Sequence, residues 1–227
     1  MIRFIPHFFS LINLFFGCVS IILLQKEDFY TSFIFTIISI IFDFLDGFLS
    51  RIIKIDNKFG KELDSLSDIV SFGIVPSIIA FFLLKKISPT NFNIEWISFS
   101  ISISSAWRLA HFNLLNQKKF IYGLTTPINT LFFYSLLYMI QTKKIIYHPF
   151  IIICIIFFSC YLLNSKILMI SFNFKGLSWN KNKERYIFLL ISLFILLNLN
   201  FMIFLFYIII IYIMTSIFFQ KNKKLFK

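Results

Sequence analysis

The sequence predicts an all-α protein, a polytopic bundle of transmembrane helices, and three observations predict it. Hydrophobic residues make up 59% of the chain and charged ones only 14%, where soluble domains carry about a quarter charged. Apolar runs of membrane-crossing length recur along the whole sequence, and the basic residues gather in the short stretches between them. So few charges cannot coat a water-soluble globule of 227 residues, and bilayer is the solvent this composition suits.

A crossing helix needs about 20 mostly apolar residues. On that scale about eight spans are predicted, at 5–24, 29–49, 66–84, 94–115, 127–142, 146–164, 186–198 and 201–219. The first is read as a retained helix, because no small-residue cleavage site follows it. The last two are parted only around Asn198 and Asn200, which makes them a tight hairpin. Neither a Gly/Ser-rich or Pro-rich linker nor a repeat of fixed period is evident. The chain therefore reads as a single membrane domain, 1–227, with a core at 1–164 and an additional C-terminal helical hairpin at about 186–219.

The basic residues orient the bundle. With the N-terminus in the cytoplasm, the inner segments hold Arg3, the group Arg51, Lys54, Lys58 and Lys61, then Lys118 and Lys119, then five between 166 and 185, and four after 220. The outer segments hold only Lys26, Lys85, Lys86, Lys143 and Lys144. This is the positive-inside asymmetry, and it turns the 51–61 loop toward the cytoplasm. The net charge of +12 is scattered between apolar runs, so it belongs to topology and implies no nucleic acid partner.

Other residue types carry less. The 34 phenylalanines fit A/T-rich coding as well as any role of their own, since Phe, Ile and Leu are nearly interchangeable against lipid, so their number supports membrane residence and nothing finer. Cys18, Cys154 and Cys160 lack metal or redox spacing and are expected to be buried, inert thiols. His7, His148, Trp96, Trp107 and Trp179 suit interfacial anchoring, and Lys181, Lys183 and Arg185 a solvated face near anionic headgroups.

The informative residues are acidic. Asp43 and Asp46 close the second apolar run, and Asp64 and Asp68 open the third. A carboxylate inside a membrane helix costs about 3 kcal/mol on insertion scales. Spacings of three and four put each pair on one helix face, and the antiparallel hairpin brings both pairs to one depth. Four carboxylates together repel unless they protonate or a cation holds them. Oxygen ligands select a hard ion such as Mg²⁺, Ca²⁺ or Mn²⁺. The bland alternative is a set of helix-end aspartates paired with Lys54 or Lys58.

Glycines and an arginine complete the pattern. Gly47 lies one turn from Asp43 and Gly60 one turn before Asp64. Each removes a side chain that would cover the carboxylate, so a phosphate can approach. Arg51 supplies a planar fork matched to phosphate oxygens. The parts suit a metal-bridged pyrophosphate at the membrane surface.

The series Asp46-Gly47, Ser50-Arg51, Gly60, Asp64, Asp68 resembles the signature of the CDP-alcohol phosphatidyltransferases, with Ser50 where that family usually has Ala. The resemblance implies that Asp43, Asp46, Asp64 and Asp68 bind two divalent metals, Mg²⁺ or Mn²⁺. It implies that Gly47, Ser50, Arg51 and Gly60 line the CDP site, and that Asp68 is the catalytic general base. GKELDSLSDIVSFG at 60–73, IPHFFSLINLFFG at 5–17 and RLAHFN at 108–113 resemble the serine-using branch. That branch implies CDP-diacylglycerol and L-serine as substrates, with Arg108, His111 and Asn113 as anchors for serine or phosphate. It also implies a homodimer among membrane lipids in the cell's inner membrane, working at the cytoplasmic face. Ser65 and Ile69 differ from the Pro and Lys that the glycerol-phosphate-using branch carries there.

Two departures bear on the acceptor. His111 stands where relatives have Arg, and GLTTP at 123–127 replaces a usual GLPxP. Three alternatives stay open: a sibling enzyme with glycerol 3-phosphate or inositol as acceptor, a serine transferase acting on archaeal-type lipid, and a divalent-cation transporter. The Gly-Arg-Gly phosphate features have no use in the transporter.

Overall fold

The computed structural model describes residues 5–53, 58–87, 93–115, 122–142, 148–169 and 200–224. The predicted span at 186–198, Trp179 and the 181–185 basic group lie outside the described residues. Within them the fold is helical, as predicted, and the only pairing of extended backbone among the described residues is a single bridge between Tyr122 and Leu168. Among the described residues, four helices are long and apolar enough to cross a membrane: Pro6–Gln25, Phe29–Ile52, Lys58–Lys86 and Phe201–Phe218. A further apolar helix, Pro149–Asn164, is shorter. This is an integral membrane architecture.

The chain forms two compact units, residues 1–116 with 147–160, and residues 117–146 with 161–227. The first contains α1 (Ile5–Gln25) and α2 (Phe29–Ile52). Gln25 ends α1, Glu27 takes a left-handed φ of 58°, and Asp28 caps α2 by accepting the Thr31 N–H at 3.1 Å. This tight turn makes the pair antiparallel. Partners accordingly diverge from it, from Ser20 with Ser32 and Thr36, both at 2.8 Å, to Asn13 with Ser39 and Ser10 with Asp46. Stacked rings, Phe9 on Phe42 and Phe16 on Phe35, each with centroids 5.6 Å apart, fill the same seam.

The third membrane helix begins earlier than hydropathy predicts. It runs as α3 (Lys58–Asp68), a π-helical stretch (Ile69–Ile74) and α4 (Val75–Ile87). KFGKELDS is too polar to register as a span, yet it continues the same helix. This helix runs parallel to α1, and its π-helical stretch approaches α1 closely at Gly17, where a Cβ would overlap Ser71 Oγ and lie 3.0 Å from Ser71 Cα. A 3₁₀ segment (Ile94–Phe99) leads into α5 (Ser100–Leu115). Ser102 Oγ donates to Gly73 O at 3.1 Å, and Ser77 and Ser102 pair at 2.7 Å. Phe72, Val75, Ile79, Leu84 and Ile101 are essentially inaccessible.

The second unit contains α6 (Thr126–Gln141) and α8 (Phe201–Lys224), with α7 (Pro149–Asn164) ending in it. Leu124, Leu162, Met169, Ile208, Ile209, Tyr212 and Ile213 form its core. GLTTP is the entry to α6. Gly123 has φ +68°, and a Cβ there would stand 2.6 Å from Leu163 O. Pro127 falls in the first helical turn, where its missing N–H costs nothing.

The cysteines are free, as predicted, but Cys18 and Cys154 are exposed and Cys160 half-buried. Apolar context in the sequence cannot separate an outward helix face from an inward one. Trp96 and Trp107 are also exposed, at 58% and 70%.

Candidate metal and nucleotide site

Three of the four aspartates meet. Asp43 on α2 and Asp64 and Asp68 on α3 each offer an oxygen within 4.8 Å of the others. Asp46, one turn beyond Asp43, is 5% exposed and accepts from Ser10 Oγ at 2.6 Å. It shares a cavity of about 110 Å³ with Asp64, lined further by Pro6, His7, Ser10, Gly47, Ser50, Gly60 and Lys61. The helical spacing and the antiparallel hairpin thus bring three of the four aspartates into one cluster, with Asp46 in the adjoining cavity rather than in the cluster itself.

The donor set fits a hard divalent cation. Three clustered carboxylates offer only oxygen, and Asp64 Oδ1 is buried without a hydrogen-bond partner. A buried carboxylate oxygen left that way is costly, and a cation answers it.

The last turn of α2 is arranged around Gly47. Ser50 Oγ donates to Gly47 O at 3.1 Å and Arg51 Nε to the same oxygen at 2.7 Å. Among the described residues, and apart from the helix's own backbone, only Arg51 Nη2, at 3.9 Å, comes within 4 Å of a would-be Cβ on Gly47. Gly47 therefore leaves open space bordered by the guanidinium, as the phosphate argument requires. Gly60 does not. The space beside it is filled by the ring of His7.

The remaining sequence candidates lie on α5. Asn113 Nδ2 donates to Ser65 Oγ at 2.9 Å, which ties it to the helix that carries Asp64 and Asp68. Arg108 is half-buried with its Nε out of reach of solvent, and His111 is exposed.

Sequence reasoning missed three residues, all on α1. His7 and Ser10 line the cavity. Asn13, fully buried, donates from Nδ2 to Asp68 Oδ1 at 3.2 Å. Its side-chain oxygen accepts from Ser39, and its backbone oxygen accepts from Ser39 and Ser71, each at 3.0 Å. The available signal was Ser10 and Asn13 three residues apart in a mostly apolar helix, where buried polar groups demand partners.

The family model for CDP-alcohol phosphatidyltransferases matches residues 3–170. The chain belongs to the CDP-alcohol phosphatidyltransferase family. All four carboxylates and the cavity of this phosphatidyltransferase domain fall inside the matched stretch. A CDP-diacylglycerol–serine O-phosphatidyltransferase of Helicobacter pylori is 34% identical over 113 residues, 48% of this chain and 45% of that protein. One of Methanocaldococcus jannaschii is 37% identical over 128 residues, 56% of this chain and 57% of that one. An archaetidylserine synthase of Methanothermobacter thermautotrophicus is 32% identical over 128 residues, covering 55% and 53%. The chain thus spans about half the length of the curated relatives it matches.

Proposed function

We propose that the protein is a phosphatidylserine synthase, transferring the phosphatidyl group of CDP-diacylglycerol to the hydroxyl of L-serine with release of CMP. The observation that carries this is the carboxylate cluster of Asp43, Asp64 and Asp68, whose Asp64 shares a cavity with Gly47, in a chain whose relatives are named for that reaction.

In this reading Asp43, Asp46, Asp64 and Asp68 hold divalent cations, two Mg²⁺ or Mn²⁺ ions. When bound, these neutralise charge on the pyrophosphate and leaving group. Gly47, Ser50, Arg51 and Gly60 line the CDP site. The serine oxygen attacks the lipid-bearing phosphorus, the P–O bond to CMP breaks, and Asp68 accepts the serine proton as general base. Arg108, His111 and Asn113 anchor the serine carboxylate or a phosphate, and the Asn113–Ser65 bond supports a place for Asn113 beside the carboxylates.

The same reading takes 1–227 as one domain with about eight crossings, core 1–164 and a C-terminal hairpin at about 186–219. It puts the N-terminus and the site at the cytoplasmic face of the inner membrane, among lipids, in a homodimer. Arg51, Lys58 and Lys61 beside the site support that orientation.

A second reading, serine transfer to an archaeal-type CDP-lipid, is favoured by the archaetidylserine synthase relative. One assay tests both: CMP release by purified protein with L-serine, inositol or glycerol 3-phosphate, given either CDP-diacylglycerol or its ether-lipid counterpart. Serine with CDP-diacylglycerol is expected to be the productive pair. CMP release with glycerol 3-phosphate or inositol in place of serine would overturn the assignment.

A further inference from the structure

The two glycines that flank the carboxylates do different work. Gly47 leaves space, but a Cβ on residue 60 would stand 2.5 Å from His7 Cε1, 3.0 Å from Nδ1 and 3.7 Å from Nε2. These are the three nearest atoms, and all belong to one rigid ring. His7 also meets Phe59 edge-on, with centroids 5.6 Å apart at 86°. The imidazole is thus seated on the α3 backbone at 59–60, and both His7 and Gly60 line the cavity that holds Asp46 and Asp64.

Two hydroxyls of that cavity hold the α2 turn and its carboxylate in place. Ser10 donates to Asp46 and Ser50 to Gly47 O. His7 and Lys61 bring nitrogen to a lining that also holds the carboxylates of Asp46 and Asp64, and an imidazole carries an N–H in either protonation state. A diphosphate entering beside Asp46 and Asp64 needs such donors for the oxygens that cations leave unsatisfied.

We propose that His7 is a nucleotide-binding residue whose imidazole N–H donates to a diphosphate oxygen, and that residue 60 is glycine in order to seat this ring. The proposal deepens the CDP-diacylglycerol reading and rests on it. It replaces the idea that Gly60 clears a path for phosphate with one in which Gly60 serves His7.

The experiment compares wild type, His7→Ala, Gly60→Ala and the double variant in detergent with Mn²⁺, by calorimetric titration with CDP and with UDP and by thermal melting. His7→Ala is expected to weaken CDP and UDP alike by about tenfold, the scale of one charge-assisted hydrogen bond. Gly60→Ala is expected to weaken both similarly and to melt lower than wild type. In the double variant the steric conflict is gone, so CDP binds no worse than to His7→Ala, and the melting loss caused by Gly60→Ala disappears. CDP affinity unchanged in His7→Ala overturns the proposal. So does a further loss when Gly60→Ala is added to that background, or a loss for CDP with UDP unaffected. Wild type that binds CDP yet releases no CMP with serine sinks the acceptor reading alone, whereas wild type that fails to bind CDP sinks both.

Discussion

Ser10 and Asn13 stand one turn apart on α1, and each holds a different carboxylate, Ser10 that of Asp46 at 2.6 Å and Asn13 that of Asp68 at 3.2 Å. The helix that carries none of the four aspartates therefore aims two of them. Groups that hold a metal's ligands typically change metal affinity or activity 10–100-fold when removed.

Asn13→Ala is therefore expected to raise the Mn²⁺ concentration for half-maximal CMP release by at least about tenfold. Asn13→Asp, which adds a carboxylate beside Asp68, is expected to do worse at equal expression. A metal titration of activity and a detergent melt separate the roles. A lower melting temperature with unchanged metal dependence would make Asn13 a structural cross-link only.

Asp64→Asn keeps the side-chain volume while replacing the buried, unpartnered Oδ1 or its neighbour with an amide. Folded protein without transferase activity is the expected result. Chelation of the parent enzyme should abolish CMP release, and Mg²⁺ or Mn²⁺ should restore it. Full activity after thorough chelation would exclude the metal reading.

Arg108→Lys keeps the charge and loses the planar fork, so partial turnover with a raised KM for serine or CDP-diacylglycerol is expected. Arg108→Ala is expected to insert, bind Mn²⁺ and lose transferase activity. A buried charged partner removed from a purely structural pair costs about 3–5 kcal/mol. A melting point far below the parent, with normal kinetics in the surviving fraction, would assign Arg108 to structure.

Topology is testable by thiol labelling. Cys18 and Cys154 are exposed, so a cysteine-free background is needed first. Asp56→Cys in that background should react with an impermeant reagent only once the inner face is opened. Reaction in sealed cells would invert the orientation.

The carboxylate cluster was legible in the sequence because helical periodicity is local: spacings of three and four fix a face without knowledge of any partner. The start of the third membrane helix was not, since a hydropathy window cannot see KFGKELDS as a polar extension of an apolar helix. His7, Ser10 and Asn13 were hidden for another reason. Ser10 and Asn13 matter through pairings with residues 36 and 55 positions away, His7 through its seat on Gly60, and α1 read alone is an apolar run. The spans at 127–142 and 146–164 correspond to helices of 16 residues, about 24 Å at 1.5 Å per residue, less than the roughly 30 Å of a bilayer core.

The π-helical stretch at Ile69–Ile74 has a consequence for how this sequence is free to change. A π turn holds one residue more than the α-helix around it, so it offsets the two halves of the helix by about 100° of rotation. Asp64 and Asp68 face their site on one side of this offset, and Ser77 and Ile79 find their packing on the other. Exchanging one lipid-facing Phe for Ile leaves that phase intact, however often it happens. Loss of a single residue between 69 and 74 would not, because it would turn every carboxylate-bearing position of this helix away from α2 at once. Drift can respell the lipid-facing positions of this helix, but it cannot shorten it.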